Sequence, residues 1–134
     1  MTKKLHVNLK KASMKTLLLI AHGSRRAASN DEVRQLTKRL NDINPPGFSG
    51  VETAFLELAQ PSIPEGLAAC LAKGASEIVV FPYFLAAGTH VVHDIPEAIQ
   101  AFQAIHPQIK VSLTRHLGDS DFLPQAILQV ASAA

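Results

Sequence analysis

From residue 16 onward, short continuous apolar runs alternate with longer stretches whose apolar residues recur every three or four positions. Residues 16–21 (TLLLIA) form the run expected of a strand buried on both faces. Residues 28–43 then place Val33, Leu36, Leu40 and Ile43 on one helical face. Asp31 and Glu32 fall in the expected first turn, where acids complement the helix dipole. Asn44-Pro45-Pro46-Gly47 ends that helix, and residues 51–58 (VETAFLEL) are the second strand. Ile63, Leu67, Cys70 and Leu71 make the next helical stripe, with Pro64 in its first turn and Gly74 past its end. Residues 77–84 (EIVVFPYF) are the third strand. Ile95, Ala98, Ile99, Phe102 and Ile105 form a third helical stripe with Pro96 in its first turn, and residues 108–114 (QIKVSLT) alternate as an edge strand does. Leu123, Ile127 and Val130 close the chain with a last helix.

The predicted order is β-α-β-α-β-α-β-α, at the spacing of roughly 30 residues that a βαβ unit needs. This is a three-layer α/β fold: a four-stranded parallel sheet with right-handed βαβ crossovers. The 134 residues suit a single domain, and 47% hydrophobic residues are enough to build its core. Cys70 is the only cysteine, so no internal disulfide and no zinc ribbon can form. That cysteine usage points to a reduced, cytoplasmic protein. No apolar run approaches the length that spans a bilayer, so no membrane partner is expected.

The formal charge of +2 hides an asymmetry. Lys3, Lys4, Lys10, Lys11 and Lys15 occupy a basic segment, residues 1–15, that contains no acid. Residues 16–134, the expected domain, carry the other eight bases against eleven acids, a net of −3. An acidic body with one Tyr and no Trp is a poor nucleic-acid binder. Residues 17–21 are too short an apolar run for a signal peptide and stop at His22; Met14 is a candidate initiator instead.

Parallel sheets carry their chemistry in the loops beyond the C-terminal strand ends. After strand one comes His22-Gly23-Ser24-Arg25-Arg26; at the end of strand two sits Glu57, followed by Gln60-Pro61-Ser62. After strand three comes Leu85-Ala86-Ala87-Gly88-Thr89-His90, with His93-Asp94 close behind. Two imidazoles and a carboxylate on neighbouring loops can accept protons near neutral pH or hold a divalent ion through open coordination. Each also has a structural reading: Glu57 as a partner for Arg25, His93 as a solvated helix residue, His106 at a helix C-terminus, Cys70 as core. Arg25 and Arg26, beside a helix start, form a plausible anion site, and His116 follows strand four towards the same cleft.

Three of these segments, LLLIAHGSR, FLELAQPSI and VVFPYFLAAGTHVVHDIP, resemble the signature blocks of the small sirohydrochlorin chelatases of CbiX/SirB type, within the class II chelatases. The blocks occur in order between about Lys15 and Ile105, and the likeness thins through Leu117-Gly118. The resemblance implies a chelatase-like fold, half of the two-lobed class II framework, and insertion of Co²⁺ or Fe²⁺, with Ni²⁺ as a further candidate, into a tetrapyrrole on the way to cobalamin or sirohaem. It makes His22 proton acceptor and metal ligand, and His90 the second metal ligand. It places Glu57, Leu85, Ala86, Ala87, Gly88 and Thr89 against the macrocycle, while Arg25 and Arg26 are natural anchors for substrate carboxylates. It implies no prosthetic group, since the metal is a substrate. With one half in the chain, a homodimer would rebuild the two-lobed site. Rival readings are a cobalt or nickel carrier using His22, His90 and His93, and a histidine phosphatase, which wants an arginine where Ala21 precedes His22.

Overall fold

The structure is a computed structural model and describes residues 14–134; the basic segment before Met14 lies outside the described residues. Four strands, β1 (Lys15–Ala21), β2 (Gly50–Phe55), β3 (Glu77–Pro82) and β4 (Lys110–Leu113), alternate with helices α1 (Ala27–Ile43), α2 (Ile63–Ala72) and α3 (Thr89–Ile105). A 3₁₀ turn (Leu117–Asp119) and a last helix α4 (Leu123–Ser132) follow. The sheet is wholly parallel in the order β2-β1-β3-β4. The expected α/β order is present, with β4 at an edge.

Strand alternation divides the layers. Leu18 and Ile20 of β1, Ala54 of β2, and Ile78 and Val80 of β3 point to the face where α2 and α3 bring Ile63, Leu67, Cys70, Ile95, Ile99 and Phe102. Gly66 admits this packing, because a Cβ there would lie 2.7 Å from that of Ala54. Truncating a fully buried residue such as Leu67 would cost about 2–5 kcal/mol. The opposite face carries α1, whose Thr37 hydroxyl pairs with that of Thr53, while the Asn41 amide bonds both backbone groups of Val51.

Several helix details differ from expectation. Helix α1 begins at Ala27, so Asp31 and Glu32 sit in its second turn and do not meet the dipole end. Its buried positions are the polar Asn30 and Thr37, and Ile43 is exposed near the left-handed Asn44 that caps the helix. Helix α2 has the expected start and stop. Ser62 and Glu65 close a capping box, and Gly74 turns at φ 92°. Helix α3 starts earlier than expected, so Pro96 lies in its interior, and its missing N–H leaves the Val92 carbonyl without its usual acceptor role. Ile105, placed on the core stripe, is exposed at the C-terminal end of α3. Lys15, grouped with the basic segment, opens β1, and the Met14 carbonyl accepts hydrogen bonds from Ser76 and Glu77.

Helix α4 leaves its apolar residues uncovered. The helix forms as expected, but Phe122, Ile127, Leu128 and Val130 face solvent at 58–79% exposure. Among the described residues it packs chiefly against the 3₁₀ turn before it.

Candidate functional site

The chain leaves β1 for the edge strand β2 and then crosses to β3 on the other side of β1. The C-terminal ends of β1 and β3 therefore flank the switch point of the sheet, where α/β folds bind ligands. His22 follows β1 and the loop of residues 83–88 follows β3, so the topology brings these two segments side by side.

Backbone pairing continues past the strands and fixes both loops. Tyr83 N–H donates to the Ile20 carbonyl at 2.7 Å, Leu56 N–H to that of Ala21 at 2.9 Å, and Glu57 N–H to that of His22 at 3.1 Å. Strand β2 itself ends at Phe55, so Glu57 belongs to the loop and not to the strand end. The loop turns through Leu58 at φ 66° and a cis Gln60–Pro61 bond. Phe55 N–H then donates to the Pro61 carbonyl, which seats the start of α2.

His22 Nδ1 lies 3.7 Å from Glu57 Oε2 and 3.3 Å from the Gly23 carbonyl oxygen. The Gly23 carbonyl can only accept, so that hydrogen bond places the proton of a neutral ring on Nδ1 and leaves Nε2 as the ligating or proton-accepting atom, with the Glu57 carboxylate beside the ring. The partner of Glu57 is thus His22 and not Arg25. Phe84 meets the imidazole edge-on, with ring centroids 6.1 Å apart. Each of the two side chains is 55% exposed, so the pair stands at an open surface that a large flat molecule could cover.

His90 is the second residue of α3, at the end of the loop that follows β3. Leu85, Ala86, Ala87, Gly88 and Thr89 are all exposed along that loop. Arg25 and Arg26 are exposed beside the His22 loop, Arg26 being the N-cap of α1 without a side-chain cap bond. His93 is exposed on α3, and His106 packs against Phe102 at its C-terminal end. His116 lines a hollow of about 290 Å³ with Ala87, Val91 and Arg115, next to the β3 loop. A larger groove, about 720 Å³, runs along α1 to Tyr83 and contains none of the predicted site residues. Among the described residues no three His, Cys, Asp or Glu side chains group as a metal cage.

Three residues of the site framework escape sequence reasoning. Asn30, only 7% exposed, pairs with the backbone of Ser24 in both directions: Ser24 N–H donates to Oδ1 at 2.9 Å, and Nδ2 donates to the Ser24 carbonyl at 2.8 Å. Arg34 reaches the Gln60 carbonyl at 2.9 Å. Gly118 N–H donates to the Phe84 carbonyl, and a Cβ on Gly118 would sit 1.7 Å from the Leu85 carbonyl oxygen. A polar residue on the buried stripe of α1 was the one available signal, because Asn30 shares a face with Val33 and Thr37.

Residues 16–134 match the CbiX family profile. The chain belongs to the CbiX family. Among curated CbiX-like relatives, it is 36% identical over 99 residues to the sirohydrochlorin ferrochelatase of Priestia megaterium, covering 73% of this chain and 36% of that protein. It is 33% identical over 93 residues to the sirohydrochlorin cobaltochelatase of Methanocaldococcus jannaschii, covering 69% of this chain and 64% of that one. The chain thus spans between about a third and two thirds of the length of these relatives.

Two solved structures share the fold. A CbiX protein from Marinobacter aquaeolei, described as a cobalamin biosynthesis protein, superposes with a TM-score of 0.75 at 28% identity, covering 89% of this chain and 95% of that one. The sirohydrochlorin chelatase SirB from Bacillus subtilis subspecies spizizenii, in complex with cobalt, gives 0.77 at 28% identity and covers 90% of this chain but 50% of that one.

Proposed function

We propose that this CbiX protein inserts a divalent metal ion into a sirohydrochlorin-type tetrapyrrole. The observation that carries the reading is the placement of His22 at the switch point of the sheet: the Gly23 carbonyl engages its Nδ1, Glu57 stands 3.7 Å away, and Nε2 is left to face a ligand.

Metallation replaces two pyrrole N–H protons with M²⁺ and releases two H⁺. Neutral imidazole can ligate the incoming ion or accept a proton, and Glu57 stabilises the imidazolium that proton acceptance produces. His90 is the second ligand in this reading. Glu57, Leu85, Ala86, Ala87, Gly88 and Thr89 contact the macrocycle, and Arg25 and Arg26 receive its carboxylates. A site with few protein donors suits an ion that is handed on and not stored. Co²⁺ is the metal we favour, ahead of Fe²⁺ and Ni²⁺, because the short one-domain form resembles the cobalt branch; relatives named for cobalt and for iron both resemble the chain.

The working unit in this proposal is a homodimer in the cytoplasm, with α4 supplying uncovered apolar surface for the second copy. Among the described residues no helix is long and apolar enough to cross a membrane.

The test is the absorbance change of sirohydrochlorin incubated with Co²⁺, Fe²⁺ or Ni²⁺, with and without protein. Acceleration over the protein-free rate is expected for at least one ion. A rate no faster than that control for every ion would favour a metal carrier instead.

A further inference from the structure

We infer that Arg34 is a positioning residue, through which α1 sets the separation of His22 and Glu57. The inference rests on the proposed function in treating those two side chains as the reacting pair. Helix α1 touches both loops of the pair, one helical turn apart. Asn30 pins the His22 loop through its two bonds to the Ser24 backbone. Four residues on, Arg34 Nη2 donates to the Gln60 carbonyl at 2.9 Å and so pins the far end of the Glu57 loop.

The guanidinium is itself held from two further directions. Nη1 donates to Asp31 Oδ1 at 2.9 Å, and the guanidinium carbon stands 5.1 Å from the ring centroid of Phe55. Phe55 is fully buried and ends β2, so the ring is a fixed platform. A planar fork that donates from two nitrogens while lying near an aromatic ring is a geometry only arginine provides. Lysine has one compact ammonium in place of the two donating nitrogens and the planar face, so it cannot reproduce this arrangement of bonds and ring contact.

The experiment combines Arg34→Lys, Arg34→Met and Glu57→Gln, singly and with Arg34→Met joined to Glu57→Gln. Loss of the Gln60 contact displaces Glu57, and a displacement of about 1 Å can lower turnover by on the order of 100-fold. Both Arg34 variants are therefore expected to lose several-fold in kcat, up to the roughly 10-fold that removal of the Glu57 charge itself costs, with Lys giving no rescue. In the Glu57→Gln background, Arg34→Met should cost less than about 2-fold, because its effect runs through Glu57. A purely structural role would cost the same factor in both backgrounds, and that result, or full activity of Arg34→Lys, overturns the inference. A crystal structure of Arg34→Met reads the geometry without any activity: a His22–Glu57 separation still at 3.7 Å overturns the inference, and a displaced Glu57 supports it. Absence of metal insertion by the wild-type protein would sink the proposed function while leaving that structural readout decisive.

Discussion

Gly23 and the backbone of Glu57 are in such close register that a Cβ on Gly23 would lie 1.7 Å from the Glu57 carbonyl oxygen. Gly23 also holds φ at 93°, a conformation L side chains rarely adopt. The close approach is what lets Glu57 N–H reach the His22 carbonyl, so one missing side chain keeps the two loops together. Gly23→Ala is expected to push the loops apart, at a cost of at least about 2 kcal/mol. That corresponds to a drop of roughly 5 °C or more in thermal midpoint. Metal insertion should fall further than stability does, and scanning calorimetry beside the absorbance assay separates the two effects.

Substitution within the reacting pair should split its two functions. If His22 is the proposed ligand and proton acceptor, His22→Ala removes both functions, and turnover is expected to drop by about 100-fold or more. Glu57→Gln keeps the shape of the side chain but removes the charge proposed to stabilise imidazolium, for which a loss of roughly 10-fold is expected. Wild-type turnover in His22→Ala would show that the base lies elsewhere.

Cys70 gives a pH dependence with a defined sign. Burial, helped by the nearby Glu52 carboxylate, pushes its thiol from 9.0 up to about 12. The unfolded chain therefore loses this proton first as pH rises above 9. Stability falls between pH 9 and 12, by up to about 1.4 kcal/mol per pH unit from this group. Below pH 9 the contribution is constant. Urea titrations should show the stability gap between wild type and Cys70→Ala narrowing as pH rises through that window, and a constant gap would count against the shift. The buried thiol should also resist alkylation at neutral pH.

Helix α4 gives a test of assembly. Light scattering should report twice the chain mass for the wild type at micromolar concentration. Ile127→Asp places a charge in the apolar surface and is expected to yield monomer with an unchanged far-ultraviolet spectrum. A wild-type monomer with full turnover would rule out the dimer as the working unit.

Element order and type were legible because continuous apolar runs and three-to-four periodicity are properties of the chain itself. Boundaries were less so: Pro96 sits inside α3 because the chain begins its helix at Thr89, before the apolar stripe that marked it. The juxtaposition of His22 with the β3 loop was legible, since parallel topology alone sends strand ends to one edge. Asn30, Arg34 and Gly118 were not, because each acts on the backbone of a loop distant in sequence, and backbone partners leave no pattern in residue types. Ile127 and Val130 show the opposite failure. Their spacing correctly marked an amphipathic helix, but periodicity does not say whether the rest of the chain covers its apolar side, and here it does not.

The segment from Phe122 to Ala134 contains no charged residue. An assembly closed by this surface would draw chiefly on apolar burial, which weakens as temperature falls, and would gain nothing from ion pairs between its side chains. The proposed pair of subunits should therefore separate in the cold room and tolerate molar salt, the reverse of a complex held by charge.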